Sequence, residues 1–371
     1  MKYIEDFRDA RWIKNLIAVI RHEVDASREY RFMEFCGGHT HSLYRYGLLD
    51  LLPDNVRMIH GPGCPVCVLP RGRLDNAIEL AQRPDTILCS YGDMLRVPAS
   101  GKRSLLKAKA SGADVRMVYS TEDALRIARE HPQHDVIFFA VGFETTTPPT
   151  AVALKQARTE QLDNFSVFCN HVLTPPAMRG ILAQPDVRVD GFVGPGHVST
   201  VIGHQAYAFA AEEFGKPVVI AGFEPADLLR SIHLLIRQVN EGRHEVENEY
   251  SRAVSDTGNV LAQRFMQEVF SLRDEFEWRG LGMIPHSALR ISDSYAKYDA
   301  EQRFLVPAIS ASDHKACECA AILCGRKRPQ DCKVFGTACT PDTPLGSCMV
   351  SSEGACAAYY AYGRHQRRVA S

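Results

Sequence analysis

Two groups of cysteines stand apart in this chain, and each is spaced for thiolate chemistry. The early group is Cys36-Gly37-Gly38-His39-Thr40-His41 followed by Gly61-Pro62-Gly63-Cys64-Pro65-Val66-Cys67. It supplies three thiols and two imidazoles on backbone that glycine leaves free to fold tightly. The late group holds seven of the twelve cysteines: Cys317, Cys319, Cys324, Cys332, Cys339, Cys348 and Cys356. Thiolates are soft ligands, suited to iron–sulfur clusters, zinc or low-spin iron. Cys36, Cys64 and Cys67 fall short of the four-ligand set of a closed zinc site. The spacing of Cys64 and Cys67 is also that of a dithiol that exchanges with a disulfide, so metal binding and redox both stay open there. In the tail, Cys319, Cys332, Cys339 and Cys356 can give four thiolates to a cubane cluster, with Gly325, Pro329, Gly336, Pro341, Pro344 and Gly346 turning the chain between them. Zinc on four thiolates is the competing structural reading. Cys89 and Cys169 fall in apolar runs and read as small buried hydrophobes.

Composition favours metals over structural bridges. Twelve cysteines in 371 residues is far below the density of a disulfide-stapled secreted domain. The start carries Ile13, Leu16, Ile17, Ile20 and Val24 at helical spacing among charged residues, which predicts an amphipathic helix rather than a signal peptide. No apolar run approaches the roughly 18 residues of a membrane helix. These features predict a soluble, cytoplasmic protein, where clustered thiols serve metals or redox more often than bridges. A net charge of −1 gives no footprint for nucleic acid or a membrane surface. Arg364, Arg367 and Arg368 read as a solvated end.

The elements that must position these thiols alternate. Short apolar segments near residues 32–35, 56–59, 86–89, 115–119, 136–141, 165–168, 191–193 and 218–221 read as strands. Helical stretches lie between them, and the alternation predicts a parallel α/β architecture. Eight strands divide into four and four, and Gly61-Pro62-Gly63 is echoed by Gly194-Pro195-Gly196. The expected fold is therefore two open parallel-sheet, Rossmann-like domains and a C-terminal, mostly helical and loop-rich domain. The boundaries read as 1–28 for an N-terminal helix packing on the C-terminal domain, 29–132 and 133–239 for the sheet domains, and 240–371 for the cysteine-rich domain, beginning with one charged helical stretch to Trp278. Loops beyond the carboxyl ends of parallel strands collect functional groups, so Cys36, Cys64, Cys67, Glu144, His197 and Glu224 are expected at one cleft between the sheets. Ordinary turn neighbours are the alternative for the glutamates and the histidine. Dinucleotide, P-loop and Gly-x-Ser-x-Gly signatures are missing, which argues against dehydrogenase, kinase and serine-hydrolase readings.

Together Cys36-Gly-Gly-His-Thr-His41, Gly61-Pro-Gly-Cys-Pro-Val-Cys67, Gly142-Phe-Glu-Thr-Thr146, Gly194-Pro-Gly-His-Val-Ser199, Gly222-Phe-Glu-Pro225 and Ser351-Ser-Glu-Gly-Ala-Cys356 resemble the HypD hydrogenase maturation family, from about residue 30 onward. The resemblance implies a scaffold for the Fe(CN)2(CO) group of [NiFe]-hydrogenase. It implies a [4Fe-4S] cluster on Cys319, Cys332, Cys339 and Cys356, with Cys317, Cys324 and Cys348 extra. Cys36 would hold iron jointly with the N-terminal cysteine of the small chaperone HypC. Cys64 and Cys67 would bind iron or take part in thiol redox steps, with His39 assisting. HypE would deliver cyanide from a thiocyanate that must be cleaved reductively. Glu353 reads as a proton carrier or a helix cap. A free-standing thiol-disulfide or iron–sulfur oxidoreductase is the alternative class, and a stable complex with a small partner bearing an N-terminal cysteine separates the two.

Overall fold

The computed structural model describes residues 4–363; Arg364, Arg367 and Arg368 lie outside the described residues. Nine strands form two parallel sheets: β1 (Tyr30–Glu34), β2 (Val56–His60), β3 (Thr86–Ser90), β4 (Asp114–Met117), β5 (Asp135–Gly142), β6 (Phe165–His171), β7 (Gly191–Pro195), β8 (Val218–Ala221) and β9 (Val246–Asn248). Every residue of β3, β6, β7 and β8 is buried. That is why these segments read as continuous apolar runs rather than alternating ones: helices cover both faces.

The sheets are not consecutive halves of the chain. One has the order β2-β1-β7-β8-β9 and the other β4-β3-β5-β6. The chain leaves the first sheet after β2, builds the whole second sheet, and returns with β7. The division at 132 and 133 therefore does not separate the sheets. Short apolar strands carry no mark of their partners, and the rule that neighbours in sequence are neighbours in space holds only about two-thirds of the time.

Register then fixes the site. Glu34 pairs with His60 and with Val193, and Pro195 pairs with Ala221. The carboxyl ends of β1, β2, β7 and β8 thus stand side by side, and the loops that follow them carry Cys36, Cys64, His197 and Phe223.

The N-terminal helix (Ala10–Glu23) begins at Asp9, whose carboxylate accepts from the amides of Arg11 at 2.7 Å and Trp12 at 3.2 Å. It packs on the helix Pro225–Glu241 of the first sheet, not on the C-terminal region as its position outside the alternation suggested. Ile17 and Ile20 share a core with Leu228, Leu229, Ile232 and Ile236 of this helix and with Phe32, Val193 and Val219 of the sheet. His233 Nε2 meets Glu23 Oε2 at 2.9 Å beside them.

The stretch from Asn240 to Trp278 is not one helix. Gly242, with φ of 66°, ends the helix Pro225–Glu241, and β9, a helix (Val260–Val269) and the strands Phe270–Leu272 and Glu275–Trp278 follow. Those strands pair antiparallel with Leu289–Ile291 and Gly282–Pro285. Beyond them the chain is rich in loops, with short helices at Cys319–Leu323 and Ala355–Ala358.

Ile20 is fully buried, so Ile20→Ala leaves a cavity under the N-terminal helix. The expected loss is about 2–5 kcal/mol, read as a lower urea midpoint, and an unchanged midpoint contradicts the packing.

Candidate metal centre

Cys36 ends the extended chain after β1 and starts the helix Gly37–Arg45. Its neighbours must be small. A Cβ on Gly63 would lie 2.4 Å from the Cys36 nitrogen, and Gly37 N–H donates to the Gly63 carbonyl at 3.2 Å. The two glycine-rich loops are thus in backbone contact, which puts the Cys64 turn directly against Cys36. Cys64 starts the short helix Pro65–Val68, and its sulfur accepts from the Cys67 amide at 3.2 Å. Cys64 and Cys67 are joined as a disulfide across a Cα separation of 5.2 Å, while Cys36 is free and buried.

Behind Cys36 sits a carboxylate the sequence reading missed. Glu34 is fully buried. It accepts from the Cys36 amide at 3.0 Å, from His60 Nδ1 at 3.0 Å and from the Thr40 hydroxyl. With Nδ1 donating, His60 Nε2 is the acceptor for the Tyr44 hydroxyl, at 2.8 Å. The available signal was one glutamate in the apolar strand Tyr30–Glu34 and one histidine closing β2. Burial raises the pKa of Glu34, opposed first by His60. Burial also pushes the Cys36 thiol up, with Glu353 and Glu34 adding to it. A metal cation at this sulfur opposes both effects and favours the thiolate.

His39 is fully buried, and burial lowers its pKa to about 3. Its Nε2–H donates to the Ala221 carbonyl at 3.1 Å, which leaves Nδ1 as an unpartnered lone pair. Phe223 lies between two imidazoles, 4.8 Å from His39 and 3.7 Å from His197 by ring centroids. Of the other residues expected at the cleft, His197 and Glu224 line a cavity of about 540 Å³ together with Gly38, His41, Phe223 and Glu353. Glu224 is held there by Arg8, whose Nη2 donates at 2.9 Å. The Glu144 carboxylate is occupied: it accepts from the Thr174 amide at 2.8 Å and hydroxyl at 2.9 Å, at the start of the helix Thr174–Leu182. Burial lifts its pKa to about 7.

The segment Ser351–Cys356 runs from this site into the cysteine tail. A Cβ on Gly37 would fall 2.4 Å from Glu353 Cβ. His41 Nδ1 donates to the Ser352 carbonyl at 3.3 Å, and Arg96, just beyond β3 of the second sheet, donates to the Val350 carbonyl at 3.2 Å. Glu353 does not cap the helix that holds Cys356; Gly354 occupies the cap position. Burial raises the Glu353 pKa, and Asp93 and Glu34 add to it.

In the tail the Cys319 thiol interacts with those of Cys317 and Cys356, and Cys348 lies near Cys356. A Cβ on Gly346 would lie 2.3 Å from the Cys317 sulfur and 2.6 Å from that of Cys319. The Leu345 amide donates to Cys339 Sγ at 3.4 Å. Cys332 stands differently, with its thiol on the Glu318 carboxylate. Cys324 donates to the Gly280 carbonyl at 3.1 Å. Ser347 ties this region to the dithiol loop by donating to the Cys67 carbonyl at 3.2 Å. Cys89 and Cys169 are core residues of β3 and β6, and burial pushes both thiols up to about 12.

Among the described residues no group of three or more His, Cys, Asp or Glu side chains is arranged to hold a single metal ion. A cubane, however, presents its irons at the corners of a larger body, and its thiolates stand further apart than those around one ion. Thiols that meet one another, Cys319 with both Cys317 and Cys356, a glycine whose missing side chain leaves room for two of them, and an amide directed at Cys339 fit such a group.

A family model named HypD, described as "Hydrogenase formation hypA family", matches residues 11–363. The chain is 64% identical over 380 residues to hydrogenase maturation factor HypD2 of Bradyrhizobium diazoefficiens, covering 100% of both chains. It is 62% identical to HypD of Azotobacter vinelandii, covering 100% of this chain and 99% of that one. To HypD of Escherichia coli it is 46% identical, with 99% of each covered. The glycine-bound thiol loops at the carboxyl edge of the first sheet and the cysteine-rich tail are thus carried by a member of the HypD family of hydrogenase maturation factors.

Proposed function

We propose that this chain is the scaffold on which the Fe(CN)2(CO) group of [NiFe]-hydrogenase is assembled. Cys36 holds the iron, together with the N-terminal cysteine of HypC, and HypE supplies cyanide. The observation that carries this reading is the contact of Glu353 with Gly37, which puts the Cys36 loop and Cys356 at opposite ends of one short segment. Iron bound at Cys36 is the cargo. Gly63 sets the Cys64 turn against the Cys36 loop, which supports a part for Cys64 and Cys67 in iron binding or electron delivery.

Release of cyanide from a thiocyanate breaks the S–C bond and consumes two electrons, leaving a thiolate and cyanide. As a dithiol, Cys64 and Cys67 supply both electrons when their S–S bond forms, and they release two protons. The buried carboxyl of Glu353 can take up or return a proton, and the unpartnered Nδ1 of His39, kept neutral by burial, can accept a hydrogen bond. A [4Fe-4S] cluster on Cys319, Cys339 and Cys356, with Cys332 as the fourth ligand after it leaves Glu318, would supply single electrons beside the dithiol.

Anaerobically purified protein should contain about four irons and four acid-labile sulfides per chain, and Cys356→Ser should lose them. Stoichiometric zinc without sulfide contradicts the cluster. Cys36→Ala should abolish the cyanide and carbonyl infrared bands of the complex with HypC while the tail iron remains; bands at full intensity would remove Cys36 as the anchor. Thiol trapping should find Cys64 and Cys67 bridged in oxidised protein and free after reduction. Two free thiols under both conditions would leave the pair as metal ligands alone.

A further inference from the structure

The tail places one thiol more than a cubane uses at the first ligand position. Cys317 and Cys319 flank Glu318 on the turn that enters the helix Cys319–Leu323, and the Cys317 amide donates to the His314 carbonyl at 2.8 Å to close that turn. Both sulfurs border the space that a Cβ on Gly346 would fill, at 2.3 and 2.6 Å from it, and both act on the Cys339 thiol. They differ in exposure. Cys319 is buried, whereas Cys317 stands partly exposed at the rim. Between them Glu318 turns away, paired with Lys327.

We infer that Cys317 is a reserve ligand for the tail cluster, able to take the iron that Cys319 holds at rest. This rests on the tail cluster proposed above. The step is a ligand exchange at one iron: the bond from Cys317 sulfur to iron forms, that from Cys319 sulfur breaks, and the proton of the Cys317 thiol passes to Cys319. No electron changes hands. The exchange needs little backbone motion, because the two sulfurs share one wall, and the absence of a side chain at Gly346 leaves room for either to lead.

The test compares Cys317→Ser, Cys319→Ser and the double variant, all prepared anaerobically, by iron and sulfide content and by electron paramagnetic resonance after reduction. Each single variant should keep the wild-type iron and sulfide content, with g values that differ between the two, and the double variant should lose the cluster. A second measurement does not depend on the double variant folding. Iodoacetamide should alkylate Cys317 in cluster-loaded wild type, and the cluster should protect it in Cys319→Ser. An empty Cys319→Ser, or a Cys317 that alkylates equally in both proteins, overturns the inference and leaves Cys319 as a fixed ligand. An empty Cys317→Ser beside a loaded Cys319→Ser overturns it too, with Cys317 as the fixed ligand. Cys339→Ser serves as the control: if it keeps a full cluster, the tail-cluster reading itself fails, and this inference with it.

Discussion

The approach of Glu353 to Gly37 is too close for any side chain on residue 37, and the arrangement of the site depends on it. Contacts of this kind are rigid, because neither backbone can give way without moving its own loop. One side belongs to the loop after β1 that carries Cys36; the other lies three residues from Cys356. His41 fastens the same segment to the helix after Cys36, and Arg96 fastens it to the second sheet. Early thiols, tail thiols and both sheets are therefore held by one stretch of chain, although more than three hundred residues of sequence separate its two sides.

A buried charge network supports the first side. Glu34 lies in an apolar strand where an unpaired carboxylate would be expensive, and it is tolerated because an amide, a hydroxyl and an imidazole all donate to it. Its placement orients Cys36 through the amide rather than the sulfur, so the thiol stays free for a ligand. Losing one donor from such a centre costs about 1–3 kcal/mol, and the bond from Tyr44 to His60 extends the network to the helix that follows. Tyr44 also meets Tyr359 edge-on, with ring centroids 5.4 Å apart, one turn beyond Cys356. The packing around the Cys36 loop and the packing around the tail thiols thus share side chains.

Strands were legible because parallel sheets buried on both faces write continuous apolar runs into the sequence, and glycine-rich loops marked their ends. Partnership was not legible. Nothing in Val56–His60 says that its neighbour's other partner is Gly191–Pro195 rather than the strand next in sequence. The early thiols were legible through the glycines around them, since Gly63 and Gly37 are required by close approach. Glu34 and His60 were not, because a polar last residue looks like the end of the strand until its partners are seen. Glu144, whose place after a strand suggested a cleft residue, has its carboxylate taken by the Thr174 amide and hydroxyl. In the tail, the number of thiols was plain and their grouping was not, because loops bring Cys317 against Cys319 and leave Cys332 on Glu318 irrespective of spacing.

The central claim is that one chain carries two chemically distinct irons, a cargo iron at Cys36 and a resident cluster in the tail. Mössbauer spectroscopy of anaerobically purified protein in complex with its small partner, grown on iron enriched in the Mössbauer-active isotope, measures this directly. The account predicts two components, a low-spin ferrous site and a cubane cluster, the cubane holding about four times the iron of the other. A single component holding all the iron would contradict it.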